Sequence, residues 1–473
     1  MLLVSTYELG HQPLYLASPA GALARAGHEP RCLDLSVQRW DDLGPEAVDW
    51  AEAVAFSVPM HTAMRLAVAA ATAVRRRRPE LPICFYGLYA PMAADPSVAS
   101  LADLAIAGEY EPALLDWVGR MTNGALANPQ EASGIAPVAV ELGRGRFSAP
   151  ARRLLPPLEQ YARLAINGDE HIVGYVEASH GCAHRCRHCP VPVVYDGRTR
   201  LVGEDVVVED VAKLVAMGAR HITYGDPDFL NGPHHSRRVV TAVHERFPDL
   251  TFDCTTKVEH ILRLSQIWGD MASAGCLFVV SAFECVNDDI LTLLDEGHTA
   301  AEAAEAVELL RAHGIEPRPS WLPFTPWTSL QDVADIMDFV ARHDLVPNVD
   351  PVQYSIRLLL PQGSLLLRDS DLSVGPYDPE VLSYLWRSPD TRVDALQTRL
   401  AGLAEEAAAI GEAGRATYLR MRSAVAEAMG ERCDADAIPE RAIAASDEGR
   451  PRLTEPWFCC AEPTSGQLGR LAD

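Results

Sequence analysis

The first 120 residues alternate short apolar runs with stretches of helical periodicity. Strands are predicted at LLVST near the amino terminus, VAFSV (54–58), PICFYG (82–87) and LADLAIAG (101–108), with helices at 15–27 and 61–78. Such alternation indicates an α/β fold with a parallel, doubly wound sheet. Ligands of these sheets bind at the carboxyl ends of the strands.

A second series of strands and helices occupies residues 170–365. The helical pattern is clearest at 299–314. Six units of this kind predict a barrel-like or partly open sheet, with function at the strand ends. The predicted strands are 171–179, 221–226, 251–256, 276–284, 316–324 and 352–360.

The remaining segments differ in composition. Asn, Gly, Ser and Pro accumulate after residue 122, which is typical of a linker. Residues from about 375 to 446 are rich in Ala, Glu and Arg and predict helices, and the end of the chain is interrupted by prolines. We therefore expect four segments: 1–121, a linker at 122–165, 166–370, and a helical carboxy-terminal region at 371–473.

Charge and hydropathy exclude two classes of partner. The net charge of -24 argues against a nucleic-acid partner, because such binding requires Lys and Arg to neutralise phosphates. The one dense basic cluster, at residues 75–78, ends a predicted helix. Since no apolar run approaches ~20 residues, we expect a cytoplasmic protein without a membrane partner. Its 11 cysteines should be reduced, and clustered ones should be metal or redox groups.

Three of these cysteines form a compact motif after a predicted strand. Cys182, Cys186 and Cys189 have the spacing C-x3-C-x2-C. Iron–sulfur clusters are normally held by four thiolates, so three would leave one iron of a 4Fe–4S cluster open. A zinc site that recruits His184 and His188 is the alternative, although no second C-x2-C pair is present.

This motif, after the first strand of a six-unit α/β domain, resembles the radical S-adenosylmethionine (SAM) superfamily. The resemblance covers residues 170–365 and implies a partial (β/α)6 TIM-type barrel that binds a 4Fe–4S cluster and SAM. It further implies that SAM chelates the open iron through its amino and carboxylate groups. One electron then splits SAM into methionine and a 5′-deoxyadenosyl radical, which abstracts hydrogen from a substrate.

The resemblance also implies cofactor-binding residues at the strand ends. His188 occupies the place of an aromatic or His side chain near the SAM adenine. Gly225, Asp226 and Asp228 stand where relatives carry a Gly-Gly-Glu segment that meets the SAM amino group, but an Asp-Pro turn is an equal reading. Glu284 stands where relatives contact the ribose, unless it faces solvent or forms a salt bridge.

Basic residues in or beside the strands are candidates for the SAM carboxylate. Arg318 and Arg357 could bind it in bidentate fashion, and Lys257 could pair with it. A structural ion pair is the alternative for each. The sequence does not choose among the three.

Residues 1–120 resemble the Rossmann-like cobalamin-binding domain that precedes many radical SAM domains. The segments 10–30 and 107–114 carry the likeness, together with the order of elements. The cobalt-ligating motif D-x-H-x-x-G is absent from this region, where His11 and His61 are the nearest candidates. Whether cobalamin binds is therefore left open. If it binds, methylation of an unactivated carbon is the favoured reaction.

The tail EPWFCCAEP resembles that of the CUAEP/CCAEP-tail radical SAM family, some members of which carry selenocysteine at the position of Cys460. The segments 5–13, 57–63, 323–330 and 357–364 extend this likeness along the chain. We expect Cys459 and Cys460 to be catalytic, because an adjacent pair forms only a strained, easily reduced disulfide. Two unrelated thiols are the alternative.

The resulting hypothesis is a radical SAM enzyme acting on a small molecule or peptide, with an electron donor such as flavodoxin or ferredoxin. Two alternatives remain: sulfur or selenium insertion by the carboxy-terminal dithiol, and a non-catalytic iron–sulfur redox sensor.

Overall fold

A computed structural model describes residues 1–122, 138–143, 147–368, 372–431 and 449–455. The predicted catalytic pair Cys459 and Cys460, and the last part of the predicted helical segment, lie outside the described residues.

The amino-terminal half is a six-stranded sheet in the order β2-β1-β3-β4-β5-β6, and every neighbouring pair is parallel. Strands β1, β3 and β4 are buried throughout, because helices cover both faces. The sequence analysis did not identify β2, α2 or β6. The elements are β1 (Leu2–Ser5), α1 (Leu14–Arg25), β2 (Arg31–Asp34), α2 (Trp40–Trp50), β3 (Val54–Ser57), α3 (His61–Arg77), β4 (Ile83–Tyr86), β5 (Leu104–Gly108), α4 (Tyr110–Thr122) and β6 (Val138–Glu141).

The second half contains a seven-stranded sheet in the order β14-β13-β12-β11-β8-β7-β17. Strands β8, β11, β12, β13 and β14 are parallel to one another. At one edge of the sheet, β7 pairs in antiparallel orientation with β8 and with β17. The strands are β7 (Arg163–Ile166), β8 (Asp169–Val176), β11 (His221–Tyr224), β12 (Thr251–Thr255), β13 (Cys276–Glu284), β14 (Glu316–Trp321) and β17 (Arg452–Leu453), and a separate hairpin joins β9 (Ser179–Gly181) to β10 (Thr199–Leu201).

Helices connect these strands and cover the sheet. They bury the apolar side chains of a core that runs from β8 to the carboxy-terminal helices. The helices are α5 (Val191–Tyr195), α6 (Glu204–Ala216), α7 (Pro233–Arg246), α8 (Val258–Arg263), α9 (Trp268–Ser273), α10 (Asp288–Leu294), α11 (Ala300–Ala312), α12 (Leu330–Arg342), α13 (Thr391–Ile410) and α14 (Gly414–Met429).

The predicted sixth strand at 352–360 is wrong. Residues Pro351–Ser355 form a 3-10 turn, and the segment then makes a single parallel bridge between Phe324 and Arg357. Proline starts this turn because its φ is fixed and it has no N–H to give to a ladder. The barrel therefore has five parallel strands and one isolated bridge.

The expected linker at 122–165 contributes to both sheets through β6 and the start of β7. Arg152, within this stretch, is 1% exposed. Its guanidinium donates to the main-chain oxygen of Gln12 in the first half and to that of Tyr175 in the second. The stretch therefore joins the two halves by buried polar contacts.

The helical prediction for the carboxy-terminal region holds for α13 and α14, which are preceded by a short hairpin, β15 (Tyr377–Asp378) and β16 (Ser383–Tyr384). Leu382, in that hairpin, packs into the core of the amino-terminal sheet. Among the described residues, no helix has the length and apolarity needed to cross a bilayer.

Candidate active site

The three clustered cysteines lie on the loop enclosed by the β9–β10 hairpin. Gly181 starts this loop with φ of 72°, and a Cβ there would lie 2.3 Å from the main-chain oxygen of Arg198. The turn therefore requires glycine. Cys182 and Cys186 are buried, Cys189 is half-buried, and none is in a disulfide.

All three cysteines line one cavity that is open to solvent. It lies where the carboxyl ends of the strands of both sheets converge. The first sheet contributes the residues that follow β1, β3 and β4, and the second contributes those that follow β8, β11 and β12. This is the edge at which parallel sheets bind ligands.

The donor set of this loop fits an iron–sulfur cluster better than zinc. Burial raises the pKa of Cys182 to about 12 and also raises that of Cys186, so both would be neutral thiols without a metal to deprotonate them. His184 is directed to Asp228 at 3.3 Å, and His188 to Glu284 at 3.4 Å. Neither imidazole therefore completes a tetrahedral set with the thiols.

Behind the cysteines lies a buried chain of alternating charges. Lys257 Nζ is 3.1 Å from Glu296 Oε2, and the other oxygen of Glu296 is 3.6 Å from His188 Nδ1. Burial lowers the pKa of His188, but the hydrogen bond and charge of Glu284 and the charge of Glu296 raise it to about 9. The positive charges of Lys257 and His188 are therefore balanced by the carboxylates of Glu284 and Glu296 within the buried wall of the cavity.

Glu284 ends β13 in an unusual backbone conformation. Its φ is 59°, a left-handed value that is rare for a residue with a side chain, and the pairing of β13 with β14 shifts register there. This irregularity aims the carboxylate at His188 and the cavity. Such local strain is typical of functional positions.

Asp226 and Gly225 line the cavity after β11. Asp226 accepts hydrogen bonds from the main-chain N–H of Ala178 at 2.9 Å and from Ser179 Oγ at 2.5 Å. Burial raises its pKa to about 6 despite these bonds. A Cβ on Gly225 would lie 2.0 Å from the ring of Tyr175, so glycine is required by packing.

Asp228, by contrast, does not face the cavity. It is fully buried and accepts hydrogen bonds from His260 Nδ1 and Thr256 Oγ1, each at 2.7 Å. Burial alone would raise the pKa of Asp228. The imidazoles of His184 and His260 outweigh this effect and hold the pKa below its ordinary value. These contacts favour a structural role, in which Asp228 orients two imidazoles behind the cysteine loop, over the predicted contact with a cofactor.

The two arginines predicted to bind the SAM carboxylate are also occupied elsewhere. Arg318 pairs with Asp350 at 3.2 Å. Arg357 pairs with Asp394 at 2.8 Å and stacks on the ring of Trp386 at 3.5 Å. Neither arginine lines the cavity, which favours the alternative of structural ion pairs, whereas Lys257 does line it.

His11 and His61, in the amino-terminal half, are buried, and burial lowers the pKa of both to about 4. His61 lines the cavity, with its Nε2 3.3 Å from the main-chain oxygen of Leu382. His11 packs against Tyr175, with ring centroids 4.9 Å apart and the ring planes tilted by 32°.

Sequence reasoning missed Glu296, Glu8 and Glu177, all of which line the cavity. Glu296 follows the end of α10 and belongs to no motif, and Glu8 and Glu177 follow strands in segments that read as apolar. The sequence feature that these three residues share is an acidic side chain shortly after the end of a strand or helix.

Comparison with known proteins supports this site. Residues 176–340 match the radical SAM superfamily. The hopanoid C-3 methylase of Methylococcus capsulatus is 24% identical over 317 residues, 64% of this chain and 59% of that protein. The chain thus spans about three fifths of the length of this relative.

Two solved structures resemble the chain over most of its length. One is the cobalamin-dependent SAM radical enzyme OxsB with aqua-cobalamin and SAM bound, with a TM-score of 0.66 at 14% identity over 86% of this chain and 66% of that chain. The other is the radical SAM methyltransferase TsrM of Kitasatospora setae with tryptophan and a SAM analogue, with a TM-score of 0.61 at 16% identity over 89% and 88%.

At these identities the structural likeness concerns the fold, and it confirms an α/β architecture with a curled half-barrel sheet. Together with the matched sequence it also identifies the domain that carries the cysteine loop. Residues 176–340, which carry the cysteine loop, are therefore a radical SAM domain by their sequence match.

Proposed function

We propose that this enzyme binds a 4Fe–4S cluster on Cys182, Cys186 and Cys189 and uses it to cleave SAM reductively. The product radical would abstract hydrogen from a small molecule or peptide, or start its methylation. The observation that carries this proposal is that three cysteines, none of them in a disulfide, line one cavity at the carboxyl ends of the barrel strands.

The chemistry that such a cluster supplies is one electron to the sulfonium of SAM, whose C–S bond then breaks to methionine and the 5′-deoxyadenosyl radical. The residues of the chain would orient SAM and keep water away. His188 and Glu284, held against each other at 3.4 Å, would contact the adenosine. Asp226 and Gly225 would meet the amino group from the end of β11.

Anaerobic reconstitution tests the proposal. We expect about four iron and four sulfide per chain, and 5′-deoxyadenosine after addition of dithionite and SAM. The variant Cys186→Ala should lose both, whereas Cys32→Ser, in the other sheet, should keep both. A cluster that forms but yields no 5′-deoxyadenosine would favour a redox sensor, and a colourless zinc protein would refute the cluster.

We further propose that cobalamin occupies the side of the cavity formed by the amino-terminal sheet, which would make methylation the reaction. The residues after β1, β3 and β4 line that side, including Leu9, Met60 and Tyr89. Both structural relatives named above belong to enzymes of methyl or cobalamin chemistry, which supports the proposal.

We expect the cobalt to lack a histidine ligand. His61 Nε2 is already close to a main-chain oxygen. The spacing D-x-H-x-x-G does occur at residues 169–174, but there it lies inside β8, where His171 pairs with Leu164 of β7 rather than lining the cavity. The electron paramagnetic resonance (EPR) spectrum of the cob(II)alamin form should therefore show no nitrogen splitting that depends on His61. Absence of corrinoid, or a splitting that His61→Ala removes, would contradict this assignment.

For the tail, we propose that Cys459 and Cys460 act as a dithiol on the contents of the cavity. Glu455, the last described residue, accepts a hydrogen bond from Tyr7 at 2.8 Å, and the neighbouring Leu9 lines the cavity. Four or five further residues reach at most ~18 Å. Replacement of Cys460 by Ser should change the product or abolish turnover of the substrate, and unchanged turnover would exclude a catalytic dithiol.

A further inference from the structure

The chain contains only two lysines, Lys213 and Lys257, among its 41 basic residues. Every other basic position is arginine. Lys213 lies on α6, half-exposed, and pairs with Glu209 one helical turn away. Lys257 is 6% exposed and stands between the end of β12 and the start of α8, at the wall of the cavity. The presence of lysine at this buried position calls for a physical reason.

The reason lies in what the ammonium group touches. Lys257 Nζ donates a hydrogen bond to the sulfur of Cys186 at 2.9 Å and lies 3.1 Å from Glu296 Oε2. The ammonium group therefore lies between a cysteine sulfur and a buried carboxylate, which is its ionic partner. Glu296, 1% exposed, has a lowered pKa because Lys257 outweighs the effect of burial.

Arginine could not replace this lysine without rearrangement. An ammonium is a compact point charge that can face one sulfur and one carboxylate oxygen, whereas a guanidinium is a broad planar fork. The space is closed by Cys186 on one side and by Glu296 on the other. The site therefore accommodates the compact ammonium group of lysine beside Cys186 better than it would a guanidinium group.

We propose that Lys257 is a positioning residue that donates to the Cys186 thiolate and raises the reduction potential of the cluster. The inference rests on the proposed function in that a cluster is bound. A reduced cluster carries one more negative charge than an oxidised one, and hydrogen bonds and charge at its sulfurs set its potential. The ammonium stabilises the reduced form and makes the first electron easier to accept.

The test is an EPR-monitored redox titration of the reconstituted full chain without SAM. In Lys257→Met we expect the reduction equilibrium to become at least about tenfold less favourable, a downward shift of about 59 mV for one electron. The matched control is Lys213→Met, which removes the other lysine and should leave the potential unchanged. Equal potentials in Lys257→Met and the wild-type protein, at equal iron content, would overturn the proposal.

A second variant of opposite sign covers the case in which Lys257→Met fails to assemble a cluster. Glu296→Gln removes the negative charge and keeps the ammonium, so its potential should rise above that of the wild-type protein. A potential that does not rise refutes the proposal.

The titration also separates this role from direct binding of SAM. If Lys257 only contacted the SAM carboxylate, Lys257→Met would weaken the change that SAM causes in the cluster spectrum while leaving the potential of the SAM-free cluster unchanged. That outcome would refute the present inference and leave the proposed function standing. Failure of the wild-type chain to bind iron would instead refute the proposed function.

Discussion

Arg152 forms a bidentate ion pair with Asp210, with Nε–Oδ1 and Nη2–Oδ2 distances of 3.0 and 2.8 Å. The two side chains are 0% and 4% exposed. The same guanidinium also donates to the main chain of both halves, so it holds the amino-terminal sheet against α6 of the barrel.

Replacement of Arg152 by Met should therefore lower the free energy of unfolding by roughly 3–5 kcal/mol, because it leaves the Asp210 carboxylate buried without a partner. Urea denaturation followed by circular dichroism measures the loss. The neighbouring Arg153 is exposed, and Arg153→Met should change little. A small effect of Arg152→Met would show that water reaches Asp210.

Glu177 predicts a pH dependence. Burial raises its pKa from 4.5 to about 7, although the charge of His180 opposes this. The unfolded chain therefore loses this proton at lower pH than the folded chain does, and stability should fall as the pH rises from 4.5 to 7. Glu177→Gln should remove a loss of roughly 2–3 kcal/mol over that window. Unfolding curves at pH 5 and pH 8 test this, and parallel profiles for the two proteins would contradict it.

Gly225 should not tolerate a side chain. A methyl group there would lie 2.0 Å from the ring of Tyr175, so Gly225→Ala should displace that ring and destabilise the protein by ~1–3 kcal/mol. Gly402, within α13, has no atom within 4 Å of an added Cβ, and Gly402→Ala should stabilise the protein by ~0.5–1 kcal/mol. Thermal denaturation distinguishes these opposite signs, and two equal shifts would show that packing is not the cause.

Arg357 should be dispensable for binding SAM. Since it contacts Asp394 and Trp386, Arg357→Met should reduce stability and leave the response of the reconstituted cluster to SAM unchanged. The spectral change on addition of SAM, measured per bound cluster, is the readout. A variant that keeps its cluster and no longer responds would restore the original assignment of Arg357 to the SAM carboxylate.

The sequence was sufficient for the parts of the fold that depend on local patterns. Continuous apolar runs gave β1, β3, β4 and most barrel strands, because strands buried on both faces have no polar positions. It failed at 352–360, where an apolar run looked like a strand. Proline and a salt-bridged arginine turned that run into an irregular segment with one bridge.

The site could be predicted as far as it is local in sequence. Three cysteines within eight residues share a loop by necessity, so their convergence needed no tertiary information. Asp228, Arg318 and Arg357 have the right chemistry at strand ends, but their partners come from distant elements such as α8 and α13. The role of Glu296 could not be predicted for the same reason, because its ion pair with Lys257 forms only in the folded chain.

The wall of the cavity is divided between two sheets, and this division has a thermodynamic consequence. Any occupant that touches both sides favours their closed arrangement over their separation by the same free energy with which that arrangement favours the occupant. Binding in the cavity and association of the two halves are therefore thermodynamically linked, so that each stabilises the other.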